Sequence, residues 1–349
     1  MPVVVLLLLF CSSALAANAP ISVSEWRAQL SEPAAQRYQQ QLEQIRLAGS
    51  YHGELDGLPS DPAVAAAART WLLHEAMQQL RTQDPTPAAL ALATRLSQSP
   101  DDVLLNQDVE GRLRAVSQAP VAQAAQATLR WWQTQARAAV LRQTLDRDSV
   151  MQAAAQWQQL DASERDSWLL ALQQPAGDWP ARLADIERPT LAKQAPELAA
   201  AVALAVHDAT LAAALLRREP GEIGSRLLSA VATEFPDQQL ALYDAALANP
   251  ALRSQSWFQL ATVADAGAQQ RLQQAAASGD RSAIAAWLQQ QGEQTLPTLQ
   301  RWLASKNEAQ QLNAIYALRL LATPAARQQL QQAAKQPQLS AKVRRELQP

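Results

Sequence analysis

From about residue 220 to the end of the chain, apolar residues recur at threes and fours and the pattern is broken about every 14 residues. In NEAQQLNAIYALRLLATPAARQQLQQAAKQP, residues 307–337, Leu312, Ile315, Leu318 and Leu321 recur at threes. Ala314–Leu318 and Ala317–Leu321 add steps of four, which makes one broad apolar stripe of an amphipathic helix. Asn307 is a helix cap, and Thr323-Pro324 is a second cap followed by proline at the first helical position. Leu330 and Ala334, four apart, continue the stripe on the second helix. The segment predicts a helix hairpin of roughly 30 residues.

The same unit is written 58 positions earlier, over 249–279. Trp257 falls where Ile315 falls, Leu260 where Leu318 does and Ala264 where Ala322 does; Asp265-Ala266-Gly267 replaces Thr323-Pro324, and Leu272 and Leu330 are each followed by Gln-Gln-Ala-Ala. Between the copies, Asp280 caps a helix carrying Ile284, Trp287 and Leu288 that ends at Gly292, and Leu296, Leu299 and Leu303 mark another. Ahead of them, Leu227, Leu228 and Val231 precede Phe235-Pro236-Asp237, and Leu240, Tyr243 and Leu247 precede Asn249-Pro250. The 58-residue spacing is therefore two hairpins. Short amphipathic helices must bury their stripes on neighbours, and stacked hairpins do so as a solenoid.

Segment 307–336 resembles a short HEAT repeat, through its Asn start, the Ala314-x-x-Ala317-Leu318 core, the Pro-bearing turn and Leu330. The family often has an arginine early in the first helix; Arg253 fills that place in the earlier copy and Gln311 holds it in the later one. The resemblance is clear over 249–336 and looser over 225–347. It implies a right-handed α-solenoid of stacked hairpins, a repeat scaffold with an open concave face, and names no activity.

The first half is helical but less regular. Asp61-Pro62 opens a helix to about Arg81, Asp84-Pro85-Thr86-Pro87 another to about Ser97, and Pro120 a long one to Leu145. Asp101-Asp102 reads as a helix cap. Further helices are expected near 148–160, 163–173, 180–187, 197–207 and 208–218, with Arg218-Glu219-Pro220-Gly221 as the joint between an irregular region, 17–219, and the repeats, 220–349. Clean apolar–polar alternation is hard to find, so the fold class expected is all-α.

One stretch, LEQIRLAGSYHGELDGLPSDPAVAAAARTWL at 42–72, is similar to small peptidoglycan-binding domains: a helix, a Tyr51-x-Gly53-x-x-Asp56-Gly57 turn, then an Ala-rich helix with Trp71 as its late aromatic. Pro59-Ser60 stands where that family has Phe-Gly, and the last helix matches only with an inserted residue. The resemblance implies wall-binding roles for Tyr51 and Asp56. The bland reading is an Asp-Gly turn between two helices, common in any fold.

The N-terminus changes the picture of place. Val3–Cys11 is too short an apolar run to span a bilayer, which takes about 20 residues, but has the length of a signal-peptide core. Ala14-Leu15-Ala16 supplies the small residues of a cleavage site, so residues 1–16 are expected to be a signal peptide and the mature chain periplasmic. No Lys or Arg precedes the core. Phe10 ahead of Cys11 argues against a lipid anchor, and cleavage removes the one cysteine. A net charge of −2 gives no electrostatic footprint for nucleic acid, with Lys342, Arg344 and Arg345 the one basic cluster.

The search for chemistry yields no catalytic, cofactor-binding or metal residues. His52, His74 and His207 never share a helix face, and there is no HExxH, GxSxG elbow or phosphate loop, since Gly221 and Gly224 lack the lysine. Acidic pairs such as Asp146/Asp148 and Glu164/Asp166 are two apart and face different ways on a helix. Trp257, Trp287 and Trp302 belong on apolar stripes as core. Adjacent Trp131 and Trp132 cannot both face inward, so one of them is a candidate exposed binding aromatic. The expected function is a non-catalytic periplasmic scaffold or adaptor that binds another protein, with no cofactor. The alternative is a peptidoglycan-associated cell-wall protein or the helical accessory of a cell-wall enzyme.

Overall fold

The computed structural model describes residues 20–100, 102–109, 112–173, 179–183, 186–335 and 339–347. The expected signal segment 1–16, with Cys11, lies outside them, as does Asp101. The chain forms two compact units, one running through Leu141 and including Ala162–Leu170, the other comprising Arg142–Asp161 and Ala171 onward. The joint read at Arg218–Gly221 falls inside the second unit.

The first unit holds α1 (Val23–Leu30), α2 (Pro33–Ala48), α3 (Ala66–Leu80), α4 (Pro87–Leu96), a hairpin of β1 (Leu104–Val109) and β2 (Arg112–Ser117), and most of α5 (Val121–Thr144). Leu42 and Ile45 on α2, Leu73 and Met77 on α3, Leu92 on α4 and Ala125 on α5 belong to one core. Gly49 ends α2 at φ 69°, a left-handed turn that glycine adopts without a Cβ penalty. Thr86 caps α4, accepting from the Ala89 N–H at 3.1 Å.

Two expectations are corrected here. The helix placed from Asp61 begins at Ala66. The Asp61 carboxylate instead accepts from the Ala63 N–H (2.9 Å), the Tyr38 hydroxyl (2.9 Å) and Arg37 (3.0 Å), which holds the preceding residues in tight turns. The chain is mostly helical, in line with the all-α expectation, with one two-stranded hairpin among the described residues. In the hairpin Leu105 lies opposite Val116 and Gln107 opposite Arg114. Ile21 adds a parallel bridge, donating to the Leu104 carbonyl and accepting from the Asn106 N–H, each at 3.0 Å. Among the hairpin's described side chains only Leu105 is buried, against Val103 and Ala119 beside Trp26 and Trp71, so there was little alternation to read. Asp102 caps no helix; its carboxylate accepts from the Ala119 N–H at 3.2 Å and ties the two ends of the hairpin together.

The second unit holds α6 (Arg147–Gln156) and, after α7 (Ala162–Gln173), which it shares with the first, α8 (Trp179–Arg182), α9 (Arg188–Gln194), α10 (Pro196–Ala205), α11 (Ala209–Arg218) and α12 (Gly221–Glu234). It continues through α13 (Gln239–Leu247), α14 (Arg253–Leu260), α15 (Ala266–Ser278), α16 (Arg281–Gln291), α17 (Leu296–Leu303), α18 (Glu308–Leu321), α19 (Pro324–Ala334) and α20 (Ala341–Leu347). Helix α9 was not expected; Pro189 in its first turn starts it. From α9 to α16 and again from α17 to α20 each helix packs on its successor, and next-but-one pairs pack as well: α9 on α11, α10 on α12, α11 on α13, α12 on α14, α14 on α16, α16 on α18, α17 on α19 and α18 on α20. Gly224 serves this packing: a Cβ there would come within 2.9 Å of the Leu252 side chain and collide with the Glu219 carbonyl.

The two copies 58 residues apart also match in their hydrogen bonds. Asn249 accepts from the Ala251 N–H at 3.1 Å, and Asn307 from the Ala309 N–H at 2.9 Å. Arg253 donates to the Leu247 carbonyl (3.4 Å), and Gln311, at the same place, donates to the equivalent Ser305 carbonyl (2.7 Å). Asp265 caps α15 on the Ala268 N–H (3.1 Å) as Thr323 caps α19 on that of Ala326 (3.3 Å). Trp257 and Ile315, and Leu260 and Leu318, are buried at equivalent places. The copies part at the end of the second helix: Ala276 is buried in α15, whereas in α19 Ala333 is buried and Ala334 exposed.

Leu318 is fully enclosed. Leu318→Asp should cost at least about 3 kcal/mol through lost burial and a desolvated carboxylate, and remove helicity from the C-terminal hairpins; an unchanged thermal melt and circular dichroism spectrum would contradict the repeat packing.

Candidate functional site

The four side chains singled out in the sequence all lie in the first unit. Tyr51 and Asp56 come together, but facing each other: Tyr51 is 0% exposed and its hydroxyl donates to the Asp56 carboxylate at 2.7 Å. Burial and that carboxylate push the phenol far above its usual range. Gly53, at φ 107°, lets the turn close beneath them, since a Cβ there would lie 2.9 Å from Asp56 Oδ2. The Tyr51 carbonyl accepts from the Thr86 hydroxyl at 2.6 Å, so the turn is fastened to the start of α4. Tyr51 is thus a core residue, and Asp56 keeps an exposed side.

The tryptophan pair on α5 divides as adjacency requires. Trp132 is buried and its indole N–H donates to the Gln83 carbonyl at 3.0 Å. Trp131 is half-buried, with the Arg81 guanidinium 5.8 Å above its ring, a cation–π contact. Trp257, Trp287 and Trp302 are buried as expected, the last two with ring centroids 5.3 Å apart.

A cleft of about 680 Å³ with both charged and apolar lining lies in the second unit, and sequence reasoning missed it. That is an ordinary size for a ligand site. Its floor is apolar, with Ile186 ahead of α9, Ala192 on α9 and Leu211, Ala214 and Leu215 along α11. Arg147, Glu187, Arg188, Thr210 and Arg218 form the polar rim.

Two of these arginines are fixed from below by acids less exposed than they are. Arg188 donates through Nε to Asp208, whose side chain is 9% exposed against 46% for the arginine. Asp208 also caps α11, accepting from the Thr210 and Leu211 N–H groups at 3.1 and 3.0 Å. Arg218 donates through Nε to Glu219 at 2.7 Å and through Nη2 to the Ala192 carbonyl at 2.8 Å, with exposures of 54% for Arg218 and 14% for Glu219. These contacts join the starts of α9 and α11 and bring the end of α11 to the later turn of α9, so the two helices run side by side in one direction. Arg147 pairs with Asp148 at 3.3 Å on the surface, where such a pair contributes little. What the lining offers is recognition: outward guanidinium donors over an aliphatic floor.

Among the described residues no three His, Cys, Asp or Glu side chains gather as metal ligands, and no helix is long and apolar enough to cross a membrane. His207, at φ 51°, has its Nδ1 3.0 Å from the Glu234 carbonyl, holding the bend before α11. No family model, curated protein or solved structure matches this chain.

The turn around Asp61 carries a pH dependence. The Ala63 N–H and the Tyr38 hydroxyl hold the Asp61 carboxyl below its ordinary 3.8. A lowered folded-state value means that the ionised form stabilises the fold: the contribution is complete above pH 3.8 and is lost as pH falls through the folded value. Asp61→Asn should therefore melt lower at neutral pH and lose less stability than the parent on acidification below that point. Parallel melting-temperature curves for the two proteins would contradict this.

Proposed function

We propose that this chain is a non-catalytic, exported helical-repeat scaffold whose second unit is a right-handed α-solenoid and which binds another protein in the periplasm. The observation that supports the reading is the joint pattern of next-but-one helix packing and equivalent hydrogen bonds 58 residues apart. An array of this kind builds an extended, ridged surface from short units, and such surfaces bind other chains. The cleft between α9 and α11 adds a groove of ligand size to it. The apolar run Val3–Cys11 followed by Ala14-Leu15-Ala16 supports export. The hairpins over 249–336 resemble HEAT repeats in the residues that form their stripes and turns.

The cell-wall alternative draws on the turn at Tyr51 and Asp56. Internal use of Tyr51 favours the adaptor reading, because a fully buried ring offers no surface to a glycan. The two are separated by cross-linking the mature chain, residues 17–349, in a native periplasmic and cell-wall extract, with sedimentation on purified peptidoglycan alongside. The adaptor reading predicts one stoichiometric protein partner, captured equally by the Asp56→Asn variant, and no sedimentation. Sedimentation with the wall that Asp56→Asn abolishes would replace it with the wall-binding reading.

A further inference from the structure

The groove between α9 and α11 has an acid-paired arginine at each end, an aliphatic strip between them and Arg147 on its rim. Arg188 is held at the start of α11 by its cap residue Asp208, and Arg218 is the last residue of the same helix. Helix α11 has ten residues, so its two ends, where Arg188 is held and where Arg218 starts, lie about 15 Å apart along the backbone. Leu211, Ala214 and Leu215, at helical steps of three and four, line the interval. Both arginines use Nε for an acid that is largely covered, which orients each guanidinium; Arg218 also gives Nη2 to the Ala192 carbonyl, so Nη1 is its unengaged terminal nitrogen, whereas Arg188 keeps both Nη groups. A guanidinium fixed in this way loses little side-chain freedom when a carboxylate arrives.

We infer that this groove takes an extended acidic segment of a partner protein with the pattern acidic–x–aliphatic–x–acidic; the inference rests on the protein-binding reading above. In an extended chain, residues i, i+2 and i+4 share one face and span about 13 Å. The first and last side chains reach Arg188 and Arg218, and the middle one lies on Leu211 and Leu215. A helical ligand would present its acids at other intervals, and a single carboxylate would meet only one of the two cations. Glu187 on the rim, the one acidic lining residue, repels a third carboxylate placed beside Arg188 and so restricts the acids to the ends.

The test is fluorescence anisotropy with the mature chain, residues 17–349, and labelled peptides bearing Glu-x-Leu-x-Glu between Gly/Ser flanks. The expected result is saturable binding that weakens with salt, falls at least about tenfold when both Glu are replaced by Gln, as loss of charge-assisted pairs would give, and falls again when Leu is replaced by Gly. Arg188→Gln and Arg218→Gln should each weaken it by a similar factor. Because Arg188→Gln also disturbs the α11 cap, the peptide substitutions on the unaltered protein are the primary readout. Equal binding of the Glu and Gln peptides, or none, would overturn the inference. So would competition for the groove by soluble peptidoglycan fragments with no acidic peptide bound. A cross-linked protein partner still captured by the Arg188→Gln/Arg218→Gln chain would overturn this groove alone and leave the scaffold reading standing.

Discussion

No helix from α9 to α20 exceeds 14 residues, and helices of that length are marginal in water by themselves. The second unit therefore depends on each one burying its apolar stripe against its neighbours, in most cases both the next helix and the next but one. That requirement explains the sequence economy of the region. Alanine is placed where helices approach closely, as at Ala268 and Ala326, and Leu or Trp where space must be filled, as at Leu260, Leu318 and Trp257. A glycine stands at 224 because a Cβ there would collide with the Glu219 backbone carbonyl, with the Leu252 side chain also close. Polar side chains close the helix ends at the same three places in both copies, so the turns as well as the stripes carry the repeat.

The substitution of Gln311 for Arg253 shows how the repeat tolerates change. The two side chains differ in length and charge, yet both donate to the carbonyl six residues back and close the same turn. What the two copies share is a long donor at that position. A resemblance judged on residue type alone would score this place as a departure, whereas the hydrogen bond is retained.

Legibility followed the range of the interactions. Stripes and caps are local, so α18, α19 and the tryptophan cores could be read directly, and adjacency alone implied that Trp131 and Trp132 would separate into a half-buried and a buried ring. The hairpin was illegible because its one fully buried described side chain, Leu105, gives no period, and because its third member, Ile21, is remote in sequence. The start of α3 was misplaced because Asp61, which looks like a cap, is committed to Tyr38 and Arg37 on α2. The cleft could not be foreseen at all: Arg147, Arg188 and Arg218 share no motif, and only the packing of α9 beside α11 gathers two of them over one floor.

Stability and recognition meet in that cleft. Asp208 caps α11 and orients Arg188, and Glu219 and the α9 backbone orient Arg218, so the contacts that hold neighbouring helices together also set out the groove. Everything rests on the second unit being a row of short units coupled to their neighbours. Native-state hydrogen exchange in rising urea, followed peptide by peptide from Gly221 to Leu347, measures that coupling. The account predicts graded opening, with α19 and α20 exchanging at lower urea than α14 to α16. One opening free energy shared by every helix of the region would contradict it.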